Sequence, residues 1–92
     1  MRYDPEHATL MLPVNSSWDS FADDIAPWLE QLELQVHRRE SGADRHQWWV
    51  SFEGTELRLE YEDLSGCTWL AADNDDGQDV LAFLTRFHQL NA

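Results

Sequence analysis

The 92-residue chain has no lysine, a single cysteine, three prolines and four glycines. Cys67 has no second thiol to pair with, so an internal disulfide framework is excluded, as is a zinc site built on paired cysteines. The glycines are scattered at turn positions, and none belongs to a phosphate-cradling loop. No apolar run approaches the roughly 20 residues needed to cross a bilayer, and Met1–His7 lacks the apolar core of a signal peptide. Basic residues are also scarce. Six arginines face 18 acidic side chains, for a net charge of −12. Such a field repels nucleic-acid phosphates and anionic membranes while favouring solubility and cationic partners. The expectation is a soluble cytoplasmic protein of bacterial type, a single domain over residues 1–92.

Aromatic material is plentiful, with five Trp, four Phe and two Tyr. Ala8, Leu10, Leu12 and Val14 alternate and predict a first strand, which Pro13 confines to an edge. Asn15–Ser17 offer helix caps. Trp18, Phe21, Ile25, Trp28, Leu29 and Leu32 then form a helical stripe, with Pro27 on its solvent side, where a bend is expected. Leu34 and Val36 switch to period two. Keeping them on the same face as Trp48 and Val50 requires a three-residue loop or a bulge in the 34–50 hairpin.

The next hairpin alternates clearly, with Trp48, Val50 and Phe52 facing Leu57, Leu59 and Tyr61. A type II′ turn at Gly54-Thr55 places Trp49 opposite Glu60, with Arg58 on its diagonal within cation–π reach. Cys67–Ala72 is the last strand, and alternation does not decide whether Trp69 or Leu70 faces the core. A final helix, capped by Asp76 or a neighbour, carries Val80, Leu81, Phe83, Leu84, Phe87 and Leu90. The expected fold is therefore α+β: two layers, a mainly antiparallel four- to five-stranded sheet and two helices on one face, in the order β-α-β-β-β-β-α. The first strand is expected to lie parallel to a neighbour through a right-handed crossover.

Catalytic constellations are not legible. Asp73–Asp79 fails as an EF-hand loop, because Ala72 and Phe83 fall where the first and twelfth ligands belong. His7, His37, His46 and His88 show no i, i+4 pair, and Cys67 has neither a base nor an oxyanion hole. No metal, cofactor or enzymatic activity is expected. What stands out is Trp49, an indole on the polar face of a well-patterned sheet, ringed by His37, Arg39, Arg58 and Glu60. An aromatic anchor with a polar rim is the anatomy of a protein-interface hot spot. The leading expectation is a non-catalytic interaction module that binds a protein partner or a second copy of itself as a homodimer. One alternative is an acidic decoy or inhibitor that uses the carboxylates of 53–63 and 73–79 on a basic site. The other is a small anionic ligand held by Arg38, Arg39 and Arg45.

The run Gly42-Ala-Asp-Arg-His-Gln-Trp-Trp-Val-Ser-Phe-Glu-Gly54, with Ile25-Ala-Pro-Trp-Leu-Glu30 before it and Leu81-Ala-Phe83 after it, resembles a small bacterial family. Its members are acidic gammaproteobacterial proteins of about this length, classed as a domain of unknown function. The resemblance covers nearly the whole chain. It implies a cytoplasmic single-domain protein and transfers no activity, ligand or site residue.

Overall fold

The structure, a computed structural model, describes the backbone of residues 1–90 and side-chain surroundings through residue 87. The side chains of His88 and Leu90 therefore lie outside the described residues. The α+β class and the placing of both helices on one face hold. The sheet is larger than expected, with six strands: β1 (Arg2–Asp4), β2 (Thr9–Leu12), β3 (Gln35–Ser41), β4 (Arg45–Phe52), β5 (Thr55–Glu62) and β6 (Cys67–Ala71). The helices are α1 (Phe21–Gln31) and α2 (Asp75–Leu90). Neither is long and apolar enough to cross a membrane.

The strands run β1-β2-β6-β5-β4-β3 across the sheet, and every neighbouring pair is antiparallel. The expected parallel first strand is thus corrected. Residues 2–4 fold back on β2 as a hairpin, and β2 pairs antiparallel with β6, Leu10 opposite Leu70 and Met11 opposite Trp69. Chain proximity does not dictate this choice, because β6 is the strand left unpaired at that edge of the meander.

Two turns set the registers. The β4–β5 connection is Glu53-Gly54, with φ of 47° and 85°, the paired positive values of a type I′ turn. The expected Gly54-Thr55 turn is two places out of register, so Trp49 lies opposite Arg58 and Gln47 opposite Glu60. Both registers keep the apolar face intact, since they differ by two residues. The observed one avoids placing Glu53 opposite Glu56, a repulsive pair in the alternative. In the β3–β4 hairpin Gly42 N–H donates to the Arg45 carbonyl at 2.8 Å, which closes a two-residue loop, and the required parity change comes from a bulge between Val36 and Arg38.

α1 starts later than expected, after Ser20, because Asp24 collects the hydroxyls of Ser16 and Ser20 at 3.0 and 2.7 Å. Trp18 is consequently outside the helix. Its indole stacks on His46 at 3.9 Å. α2 is capped by Asn74, whose Oδ1 accepts the Gly77 N–H at 2.8 Å. Between sheet and helices the core gathers Leu10, Leu12, Phe21, Ile25, Leu32, Leu34, Trp48, Val50, Leu57, Leu59, Tyr61, Leu70, Leu81 and Leu84. Thr68 is also fully buried there, its hydroxyl without a hydrogen-bond partner among the described residues.

Candidate functional site

With both helices on one side, the other face of the sheet has no helix over it. Antiparallel sheets tolerate this when the open face is polar. Here it carries two half-buried indoles, Trp49 on β4 and Trp69 on β6. The undecided position is thereby settled: Leu70 enters the core and Trp69 faces outward, beside Met11. Alternation could not find this, because Thr68, Leu70 and Ala71 are all buried.

Between the indoles lies Glu60, only 6% exposed although it stands on the open face. Its carboxylate accepts the indole N–H of Trp69 and the amide N–H of Gln47, each at 3.0 Å, and lies 3.6 Å from Arg58. Charge-assisted bonds of this kind hold a buried carboxylate that would otherwise be costly to desolvate. Arg58 is further tied to Asp73 through two N–H groups at 3.0 and 2.8 Å. The bidentate fork therefore points along the sheet, and the expected stacking of Arg58 on Trp49 is replaced. The guanidinium over Trp49 is that of Arg38, 4.6 Å from the ring centre.

The bulge explains this exchange. It slides Arg38 opposite Trp49 and Arg39 opposite Trp48, so the tandem arginines cap the tandem tryptophans on opposite faces. His37 stays on the open face, its Nε2 2.6 Å from the Ser51 hydroxyl. Arg39 does not. It lies over Trp48 on the helix side, away from Trp49, His37, Arg58 and Glu60. The three arginines considered as an anion site likewise do not converge. Arg38 pairs with Glu40, Arg45 with Glu62 at 3.1 Å, and Arg39 stacks on the other face.

Other titratable groups have structural roles. His46 donates from Nε2 to the Trp18 carbonyl at 3.1 Å and accepts the Ser41 hydroxyl at Nδ1, 2.8 Å away. The Tyr61 hydroxyl meets the Ser16 carbonyl and Asp63, and burial followed by the Asp63 carboxylate pushes its pKa above the ordinary value. Cys67 is free and half-buried. Asp4, Glu6 and His7 bring ligand atoms within 4.8 Å of one another. The turn accounts for this grouping: Asp4 accepts the backbone N–H groups of Glu6 and His7 and touches the His7 ring at 2.6 Å. That ring contact, the largest cause, holds the Asp4 pKa below the usual carboxylate value.

The registers also gather charge that the sequence disperses. The β1–β2 loop, the α1–β3 loop, the β4–β5 turn and the β6–α2 loop all lie at one end of the sheet. Asp4, Glu6, Glu33, Glu53, Glu56, Asp73, Asp75 and Asp76 therefore share that end. A recess of about 80 Å³ opens there between α1, the β4–β5 turn and α2, lined in part by Leu32, Glu33, Phe52, Glu53, Phe83 and Phe87. Glu33 follows α1, where the Leu34 N–H reaches the Leu29 carbonyl at 2.8 Å, the six-to-one bond of a Schellman ending. Its φ is 57°. Both lining glutamates thus occupy left-handed positions that normally favour glycine or asparagine. The sequence signal for this site was faint: Phe83 and Phe87 belong to an apolar helix face that is wider than the core requires.

Neither a curated protein nor a solved structure matches the chain. The sequence profile of one family does, over residues 1–89, and it spans both the open sheet face and the acidic end. The chain belongs to the family described as "Protein of unknown function (DUF3630)".

Proposed function

We propose that this protein is a non-catalytic protein–protein interaction module of the cytoplasm, docking through the open sheet face around Trp49 and Trp69. The observation that carries this reading is a whole sheet face with two half-buried indoles and no helix over it. Glu60, Gln47 and Arg58 supply a fixed polar frame around the indoles, and Arg38 and His37 form a rim. Rigid aromatic anchors framed by satisfied polar groups lose little entropy on binding. The partner is another protein or a second copy of the chain. The net charge of −12 argues against nucleic acid and anionic membrane.

The test is the double variant Trp49→Ser/Trp69→Ser, compared with the wild type by sedimentation and by affinity capture from the native host at high salt. The module reading expects a folded variant that loses its self-association or its captured partner. An unchanged assembly state and capture profile, accompanied by a large loss of stability, would make both indoles structural and end the proposal.

A second reading is favoured by the convergence of carboxylates at one end of the sheet. It is an acidic surface that occupies a basic site on a partner. Binding of this kind weakens steeply with added salt, whereas docking on the indole face does not.

A further inference from the structure

We propose that the recess at the acidic end docks an aliphatic side chain presented by a cationic segment of a partner protein. The inference rests on the second reading above and adds where, and by what chemistry, such a partner is held.

The walls are apolar and the mouth is anionic. Phe83 and Phe87 stand one helical turn apart with ring centres 5.9 Å apart, and Phe83 is 5.7 Å from Phe52. Each of the two helix phenylalanines is 44% exposed, which forms an aromatic strip leading into the recess. A volume of about 80 Å³ admits a few carbon atoms but not an indole. The occupant is therefore one short branched side chain, not a helix face.

Glu33 and Glu53 lie at the mouth, and neither makes an ion pair among the described residues. Among the described residues, no cationic side chain lines the recess. Both glutamates sit in left-handed backbone, where glycine or asparagine would relax the chain. Two carboxylates are thus held beside an apolar hole at a conformational penalty. Strain of this sort, when it clusters at one place, points to use. A carboxylate pair flanking an apolar hole selects an aliphatic group with positive charge on either side. A second copy is a poor occupant. It carries the same −12, and its most exposed large aliphatic residue among those described, Leu64, stands beside Asp63 and close to Glu62.

The experiment titrates the ¹⁵N-labelled protein with a blocked pentapeptide in which one leucine is flanked by two arginines on each side. The control peptide carries alanine in place of leucine. The expected result is amide shifts centred on Glu33, Phe52, Glu53 and Phe83, with the alanine peptide about tenfold weaker. Glu33→Gln/Glu53→Gln should also weaken binding about tenfold, while Glu33→Asp/Glu53→Asp retains it. Circular dichroism confirms that each variant is folded.

Equal affinity for the two peptides, with shifts spread over all the carboxylates, would overturn the recess proposal and leave the general acidic-surface reading standing. Binding of neither peptide would overturn both. A concentration-dependent dimer abolished by Phe83→Ser would place a second copy in the recess and overturn the cationic partner.

Discussion

Replacing Glu33 and Glu53 together by asparagine is expected to stabilise the protein without altering its fold. The two residues have φ of 57° and 47°. A left-handed backbone costs an ordinary L-residue about 1–2 kcal/mol through the clash of Cβ with the neighbouring carbonyl. Asparagine relieves part of this, so each site should gain about 0.5–1 kcal/mol. The sites belong to different turns and act through local backbone geometry, so the gains should add to about 1–2 kcal/mol. For a 92-residue domain each kcal/mol raises Tm by about 4–8 °C, which places the double variant about 4–16 °C above the wild type.

Removing two acidic groups from a chain of net charge −12 acts in the same direction by lowering self-repulsion. Glu56→Gln separates the contributions, because it removes a charge at the same end from an ordinary strand residue. Calorimetry and urea unfolding at matched pH and salt provide the readout. A double variant that melts at or below the wild-type temperature would show that these two backbone positions carry no net strain. The glutamate side chains would then contribute more to stability than their backbone conformation costs.

Thr68→Val should raise stability by about 1 kcal/mol, because it removes a fully buried hydroxyl that has no partner among the described residues while keeping a β-branched side chain in the strand. A calorimetric loss instead would mean that the hydroxyl is hydrogen-bonded in solution. Gly77→Ala should destabilise by about 1–3 kcal/mol in urea, despite the better helix propensity of alanine. Its Cβ would come within 2.9 Å of the Ala72 Cβ and 3.3 Å of a Leu57 methyl. His7→Ala should let the Asp4 carboxyl pKa rise towards its ordinary value of 3.8, followed by carboxyl NMR. Because the folded pKa is depressed, the stabilisation from this contact is complete above pH 3.8 and is lost as pH falls through the folded value. The difference between wild type and variant should narrow over that range.

Much of the fold was readable because alternation is a local signal. Trp48, Val50, Phe52, Leu57, Leu59 and Tyr61 declare their face in any register that shifts by two, so the core was found although the turn was misplaced. Leu34 and Val36 demanded a parity change, and the bulge supplies it. The identity of the turn was less accessible. Gly54 fits the first position of a type II′ turn as well as the second position of a type I′ turn, and only the pairing across the whole hairpin separates them. The short β1 strand escaped because three residues carry no period, and its partner β2 is what makes it a strand.

The candidate sites divide along the same line. Trp49 was visible as a misfit because it breaks the alternation of its own strand. Trp69 was not, because its neighbours Thr68, Leu70 and Ala71 are all buried. The hairpin register alone puts Arg58 beside Trp49, but its guanidinium answers to Asp73, which lies beyond β6 in the chain. Strict alternation puts Arg39 on the open face, and the bulge turns it to the other side.

The class and the apolar face of each long element follow from residues within one or two turns of chain, and the excess of negative charge is a plain sum over the chain, so none of these needs the fold. The pairing of β2 with β6, the capping of Trp49 by Arg38 and the gathering of Glu33, Glu53 and Phe83 at one end emerge only in the folded sheet. Each of these joins segments distant in sequence, and their meeting depends on strand order and register, which follow from how the whole sheet closes over its core.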